Sequence, residues 1–283
     1  MSATIHALTF GRLTMDSSGL VLFRRPGTRE TIPFVGYLIL GAGEPILVDT
    51  GASDVVDWAG WGMEFEKTPD MTVEAQLARF GVRPDDVRTV VHTHAHLDHV
   101  GQDDLFPMTT TVAMARAELE FMLSGVMGPG MYTAHDTHHL VDRLHTPGAL
   151  RFFDVDGTFE EEIAPGVAVR LSGGHTPGSI SVLVETDEGI ANIAGDIVYH
   201  IDDQIAAPLN DVVAHEPTIS GNRAMRSLEE KRAVKKALAT SRFLLVGHDL
   251  PALVEGGRVV GRHRTAFDDP AARLTSAAEY DRP

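Results

Sequence analysis

The chain contains no cysteine. Disulfides, a thiolate nucleophile and sulfur metal ligands are therefore excluded, and a reducing cytoplasm is the expected location. Basic residues are also scarce. Lys and Arg number 24 against 40 Asp and Glu, for a net charge of −16. Nucleic-acid affinity rests on Lys and Arg contacts to phosphate, so a nucleic-acid partner is not expected. No apolar run approaches the length of a membrane span, and the first ten residues lack a basic segment followed by an apolar one. Neither a membrane partner nor a signal peptide is expected. Aromatic residues make up 6% of the chain, and both tryptophans, Trp58 and Trp61, fall in one short stretch. No internal repeat or low-complexity segment is seen.

Hydrophobic residues make up 43% of the 283 positions, enough to bury a sizeable core. The most informative stretch follows a valine-rich run (Val87, Val90, Val91) that reads as a buried strand. From His92 to His99 the chain runs His-Thr-His-Ala-His-Leu-Asp-His, four imidazoles and a carboxylate. Imidazole nitrogen and carboxylate oxygen suit zinc and similar borderline divalent ions. The step from His94 to His96, with Asp98 beside His99, fits a cage for two metals better than a histidine-rich surface loop. His92 lies one step ahead of the pattern and reads as a supporting or core histidine, not a ligand.

Residues 20–23 read as a first strand and 33–40 as a stronger one. A turn at 41–45 leads to a strand at 45–48. The resulting hairpin delivers Asp49 to a sheet edge. Asp49 either caps its turn, the commoner role of Asp near Gly, or accepts from a metal-bound histidine and fixes its ring. Trp58, Trp61, Met63 and Phe65 read as either satellite core or the apolar wall of a pocket, with the wall preferred. Residues 72–80 form an amphipathic helix with Thr72 as cap. A strand at 110–113 and a helix at 115–123 follow. His135, His138, His139 and His145 lack a strand-end context and read as surface or lid residues in a stretch that could cover a site.

A strand at 166–171 runs into Gly173-Gly174-His175-Thr176-Pro177-Gly178, where glycine permits a tight turn. Strands at 180–185 and 190–194 form another hairpin, ending in Gly195-Asp196 with Tyr199 three residues on. Residues 227–240 are a helix whose Lys231, Arg232, Lys235 and Lys236 face solvent. A last strand, 243–246, ends in Gly247-His248-Asp249. Residues 258–283 read as a polar, weakly organised tail. Asp49, the histidine cluster, His175, Asp196 and His248 thus each follow an expected strand. Packed sheets bring such ends to one rim, the usual place for a site.

The motifs LVDTG (47–51), THAHLDH (93–99), GGHTPG (173–178), GD (195–196) and GHD (247–249), in that order, resemble those of the metallo-β-lactamase superfamily. They span residues 34–250. The resemblance implies a mixed α/β (α+β) fold, a four-layer αββα sandwich with its site at one sheet edge. Residues 1–283 are then one such domain with a tail from about 258. It also implies two zinc ions, other divalent metals being compatible. One would sit on His94, His96 and His175, the other on Asp98, His99 and His248. Asp196 would bridge both, with a hydroxide.

Within the superfamily the chain is most similar to the N-acyl-homoserine lactonases. Tyr199 stands where these lactonases keep a catalytic tyrosine, and the last ligand lies in GHD rather than GHG. The implied reaction is opening of a small lactone, an N-acyl-homoserine lactone, by the bridging hydroxide, an activity that amounts to quorum quenching. Tyr199 would stabilise the oxyanion and Asp98 would give a proton to the leaving alkoxide. Lys and Arg are absent from 41–66, 90–115 and 171–210. That disfavours a phosphate or carboxylate substrate and favours a neutral ester-like bond, its tail against Trp58, Trp61 and Phe65.

The rivals are a lactonase of pyridoxine breakdown, another small-ester hydrolase, and a non-catalytic metal-binding protein. Glyoxalase II is disfavoured because little chain follows His248. A di-iron reading is disfavoured because His96 occupies the Glu place of H-x-E-x-D. Oligomeric state stays open, a homodimer included.

Overall fold

A computed structural model describes residues 3–128, 130–206, 216–221 and 225–282. Two seven-stranded sheets carry the site. The first sheet contains β1 (Thr4–Asp16), β2 (Arg29–Leu40), β3 (Ile46–Val48), β4 (Glu64–Glu66), β5 (Thr89–Val91), β6 (Thr111–Ala115) and β7 (Leu150–Phe153), in the order β4-β1-β2-β3-β5-β6-β7. The second contains β8 (Glu161–Ala164), β9 (Val167–Leu171), β10 (Ile180–Thr186), β11 (Gly189–Ile193), β12 (Phe243–Leu245), β13 (Ala252–Glu255) and β14 (Arg258–Arg262), in the order β14-β13-β12-β11-β10-β9-β8. The helices are α1 (Val73–Ala78), α2 (Arg116–Leu123), α3 (Ala134–Leu144) and α4 (Ser227–Thr240).

Strand alternation sorts the side chains into layers. Tyr37 and Ile39 of β2, Val91 of β5 and Ala113 of β6 point between the sheets. There they meet Val169, Val182, Ile193 and Leu245 of the second sheet in one core. Their neighbours Leu38, Val90 and Val112 point outward, against Val73 and Leu77 of α1, Met122 of α2 and Leu140 of α3. On the far side Leu244, Ala252 and Val254 meet Ala233, Val234 and Ala237 of α4. The result is helices, sheet, sheet, helix, as the resemblance implies.

Strand direction decides where the site forms. β3, β5 and β6 run parallel, and β11 runs parallel to β12. β9 is antiparallel to β10, which is antiparallel to β11, so β9 and β11 share a direction. The ends of β3, β5, β9, β11 and β12 can therefore meet at one rim. Three bonds tie the sheets together there. Tyr37 donates its hydroxyl to Val246 O (2.8 Å), Val35 N–H to Gly247 O (2.9 Å) and His248 Nδ1 to Pro33 O (2.9 Å).

Two expectations, at residues 20–23 and in the tail, need correction, and one stretch given no element in the sequence reading is a helix. Residues 20–23 are not a strand. Val21 makes only an isolated bridge to Ser220, and the first strand is the thirteen-residue β1, whose Thr, His and Arg positions obscure its apolar alternation. Residues 134–144 form helix α3, capped by the Thr133 side chain, which accepts from Asp136 N–H. The tail is not loose. It supplies edge strand β14, pairs Arg262 with Asp281, and buries Ala266, Leu274 and Tyr280 in the inter-sheet core.

Candidate metal centre

The five strand ends meet. Ligand atoms of His94, His96 and His175 lie within 4.8 Å of one another, as do those of Asp98, His99, Asp196 and His248. In the first group His96 turns Nδ1 toward His175 Nε2, at 2.9 Å. Nε2 of His94 and Nε2 of His175 each stand 3.9 Å from Asp196 Oδ2. In the second group His248 Nε2 is 3.1 Å from Asp196 Oδ2 and 3.4 Å from Asp98 Oδ2. His99 Nε2 is 3.3 Å from Asp196 Oδ1 and 3.9 Å from Asp98 Oδ1. Asp196 thus faces both groups. Six of the seven residues are buried, and the Asp98 side chain keeps 15% of its exposure.

Three of the inward-facing atoms are orphans. Nε2 of His94, Nε2 of His99 and Oδ1 of Asp196 are buried without a hydrogen bond. Buried polar atoms are rarely left so, and nitrogen with carboxylate oxygen is a donor set for borderline divalent ions. These residues fit a metal. Their protonation agrees. Burial, then the neighbouring imidazoles, hold His94 and His96 well below the ordinary histidine range, and burial lowers His175 to about 4. These shifts favour the neutral imidazole that a metal requires. His99 and His248 are buried too, but the carboxylates beside them, Asp196 foremost, outweigh burial and raise both.

A second ring of carboxylates orients the imidazoles. Asp49, held at a positive φ of 62° just after β3, accepts from His99 Nδ1 (2.8 Å), Thr93 N–H (2.9 Å) and Thr93 Oγ1 (2.8 Å). Of its two readings, the acceptor role is the one observed. His92 is buried among carboxylates, with Nε2 at 2.9 Å from Asp103 Oδ2 and Nδ1 at 3.6 Å from Asp49 Oδ1. Burial opposes its charge, but Asp103 and Asp49 raise its pKa to about 9. Glycines make room: a Cβ on Gly247 would lie 2.6 Å from Asp196 Oδ1, and one on Gly195 2.6 Å from Thr93 Oγ1.

Beside the centre opens a cavity of about 320 Å³. Leu13, Met15, Ile32, Phe34, Trp58, Trp61, Met63, Leu97 and Met131 line it, with Asp98, Tyr199 and His248 as its ionisable groups. No Lys or Arg is among the lining residues. Phe65 is not a lining residue and stacks behind the wall on Phe34 (5.5 Å between ring centroids). Tyr199 lies flat on His248, 5.1 Å away at 2°. Burial, followed by the charges of Asp196 and Asp98, pushes its phenol well above the ordinary range, so it stays a donor. Burial also raises the Asp98 carboxyl, against the pull of His99 and His248.

A family model described as the metallo-beta-lactamase superfamily matches residues 35–248. The chain belongs to the metallo-β-lactamase superfamily. It is an enzyme of the hydrolase kind. An N-acyl homoserine lactonase from a Bacillus species is 26% identical over 260 residues, covering 87% of this chain and 94% of the relative. The N-acyl homoserine lactonase AttM of Azorhizobium caulinodans is 28% identical, over 87% and 92%. Among solved structures, a variant of B. thuringiensis AiiA with N-decanoyl-L-homoserine bound at its active site superposes with a TM-score of 0.66 at 23% identity, over 88% and 94%. The dizinc lactonase AidC, with N-hexanoyl-homoserine product, gives 0.63 at 16%, over 91% and 92%. At these identities the structures share the fold.

In this superfamily member the structure brings together every motif residue singled out in the sequence. Of the α3 region, His135 pairs with Asp104 and Asp136 and His139 accepts from Arg143, and none of its four histidines joins either cluster. Sequence reasoning missed Asp103 and the cavity walls supplied by β1 and β2. No helix among the described residues is long and apolar enough to cross a membrane.

Proposed function

We propose that this chain is a two-metal lactonase that opens a small neutral lactone with an apolar tail, an N-acyl-homoserine lactone. One observation carries the reading: two clusters of metal-donor atoms, with Asp196 in one and facing the other, lie beside an apolar cavity whose lining holds no Lys or Arg. His94, His96 and His175 would hold one ion, Asp98, His99 and His248 the other, with Asp196 between them. Bound zinc, or a similar ion, polarises a carbonyl and lowers the pKa of water enough to supply a nucleophile near neutral pH.

The protein's own groups do the rest. Trp58, Trp61, Met63 and Phe34 receive the acyl tail and exclude water. The Tyr199 hydroxyl donates to the carbonyl oxygen as charge develops on it. Asp98, partly open to the cavity, would take the proton given up by the attacking water and pass it to the departing ring oxygen. Without a lining Lys or Arg, a charged tail would find no side-chain cation in the cavity. The named relatives act on the same substrate class, which supports the choice. A quorum-quenching role and a cytoplasmic location belong to the same proposal.

The test is a panel of acyl-homoserine lactones of rising chain length, an aromatic lactone, a thioester, a β-lactam and a phosphodiester. A long-chain acyl-homoserine lactone is expected to give the highest kcat/KM. A thioester or phosphodiester turned over faster than every lactone would end the proposal.

A further inference from the structure

Glu118 takes no part in the chemistry above, yet it is fully buried in the first turn of α2. Donors from three other segments converge on it. The Ala95 N–H, between His94 and His96, donates to Oε1 (3.0 Å). The Tyr132 hydroxyl donates to the same oxygen (3.2 Å). The Thr176 hydroxyl, next to His175, donates to Oε2. A carboxylate has about four lone-pair sites, and three of them are taken by these donors.

The surroundings are shaped to this carboxylate. Position 178 has to be glycine, because a Cβ there would lie 2.1 Å from Glu118 N. The Tyr132 ring rests 5.2 Å from the His96 ring. Leu97 N–H donates to Met131 O (3.0 Å) and ties the same segment to the histidine loop. Every bond to Glu118 therefore ends beside His94, His96 or His175. Among the described residues, no hydrogen bond joins it to Asp98, His99, Asp196 or His248.

We propose that Glu118 is the positioning residue of the three-histidine site: it locks the His94–His96 loop to the His175 loop and so sets the metal affinity of that site alone. The four-ligand site has its own anchor in Asp49. This inference rests on the two-metal reading and is independent of the substrate. Glu118→Gln would remove the charge that strengthens every bond to this side chain and would make the Thr176 hydroxyl reverse its bond, loosening the joint between the two loops.

The experiment isolates each site. His248→Ala reduces the four-ligand site and leaves the three-histidine site intact, and His175→Ala does the reverse. Metal-free proteins are titrated with Co²⁺ against a chromophoric chelator, and the d–d spectrum reports coordination. In the His248→Ala background, Glu118→Gln is expected to weaken Co²⁺ binding by about 10- to 100-fold, the range for a group that orients a ligand. In the His175→Ala background it is expected to change little. No loss in either background, or equal losses in both, overturns the proposal. Should Glu118→Gln lose its folded circular-dichroism spectrum, Thr176→Val decides in the same two backgrounds, and absence of a site-selective loss overturns it. No activity is measured, so this outcome and that of the lactone panel are distinguishable.

Discussion

The Tyr199 ring is fixed by its stack on His248, while its hydroxyl is the part assigned to chemistry. Phenylalanine keeps the stack and removes the donor. Tyr199→Phe is therefore expected to lower kcat by about ten- to a thousandfold, the scale of one oxyanion donor, with bound metal and melting temperature unchanged. Steady-state kinetics alongside metal analysis would check this, and an undiminished kcat would take Tyr199 out of the reaction. Asp49 acts one bond further out. Asparagine has one acceptor oxygen, so if it keeps the Thr93 N–H bond it turns an NH₂, not an acceptor, toward His99 Nδ1. Asp49→Asn is expected to weaken metal binding by about 10- to 100-fold, read by chelator competition. At this scale the sequence was most legible, because each motif packs several donors into a few residues. Glu118 and Asp103 were not legible. Each looks like an ordinary acidic residue at a helix start, and only the folded chain shows what donates to it.

The elements work through close approach. The turn after β9 packs its Gly178 directly on the backbone of α2, so Gly178→Ala forces two elements apart. Overpacking of this kind costs about 1–3 kcal/mol. The expected result is a lower melting temperature together with weaker metal binding, since His175 leaves from the same turn. Thermal unfolding of the metal-free protein separates the two effects, and an unshifted melting temperature would contradict the contact. The hairpins β2–β3 and β10–β11, the helix α4 and the strand ends were readable from apolar runs bounded by glycine and proline. β1 was not, because its Thr, His and Arg residues hide the period and a register shift between Thr9 and Gly11 interrupts it. The tail failed for a related reason. Its few apolar residues, Leu274 and Tyr280 among them, are spread too thinly to mark an element, yet each finds a place in a core already built.

On the scale of the molecule the candidate centre is a clasp between the sheets. His94, His96, Asp98 and His99 leave the first sheet after β5, and His175, Asp196 and His248 leave the second after β9, β11 and β12. A metal held by both groups exists only when the sheets are packed, so its binding energy adds to folding energy. At a free metal concentration one hundred times Kd, a site adds about 2.7 kcal/mol. For a chain of this size, 1 kcal/mol moves the melting temperature by about 2–4 °C. Removing metal with a chelator is therefore expected to lower the melting temperature by at least about 5 °C per occupied site, and adding Zn²⁺ should restore it. His175→Ala, which cuts the clasp from the second sheet, should shrink that shift. Equal melting temperatures with and without chelator, in protein shown to have bound metal, would mean that the seven residues do not join the sheets through an ion.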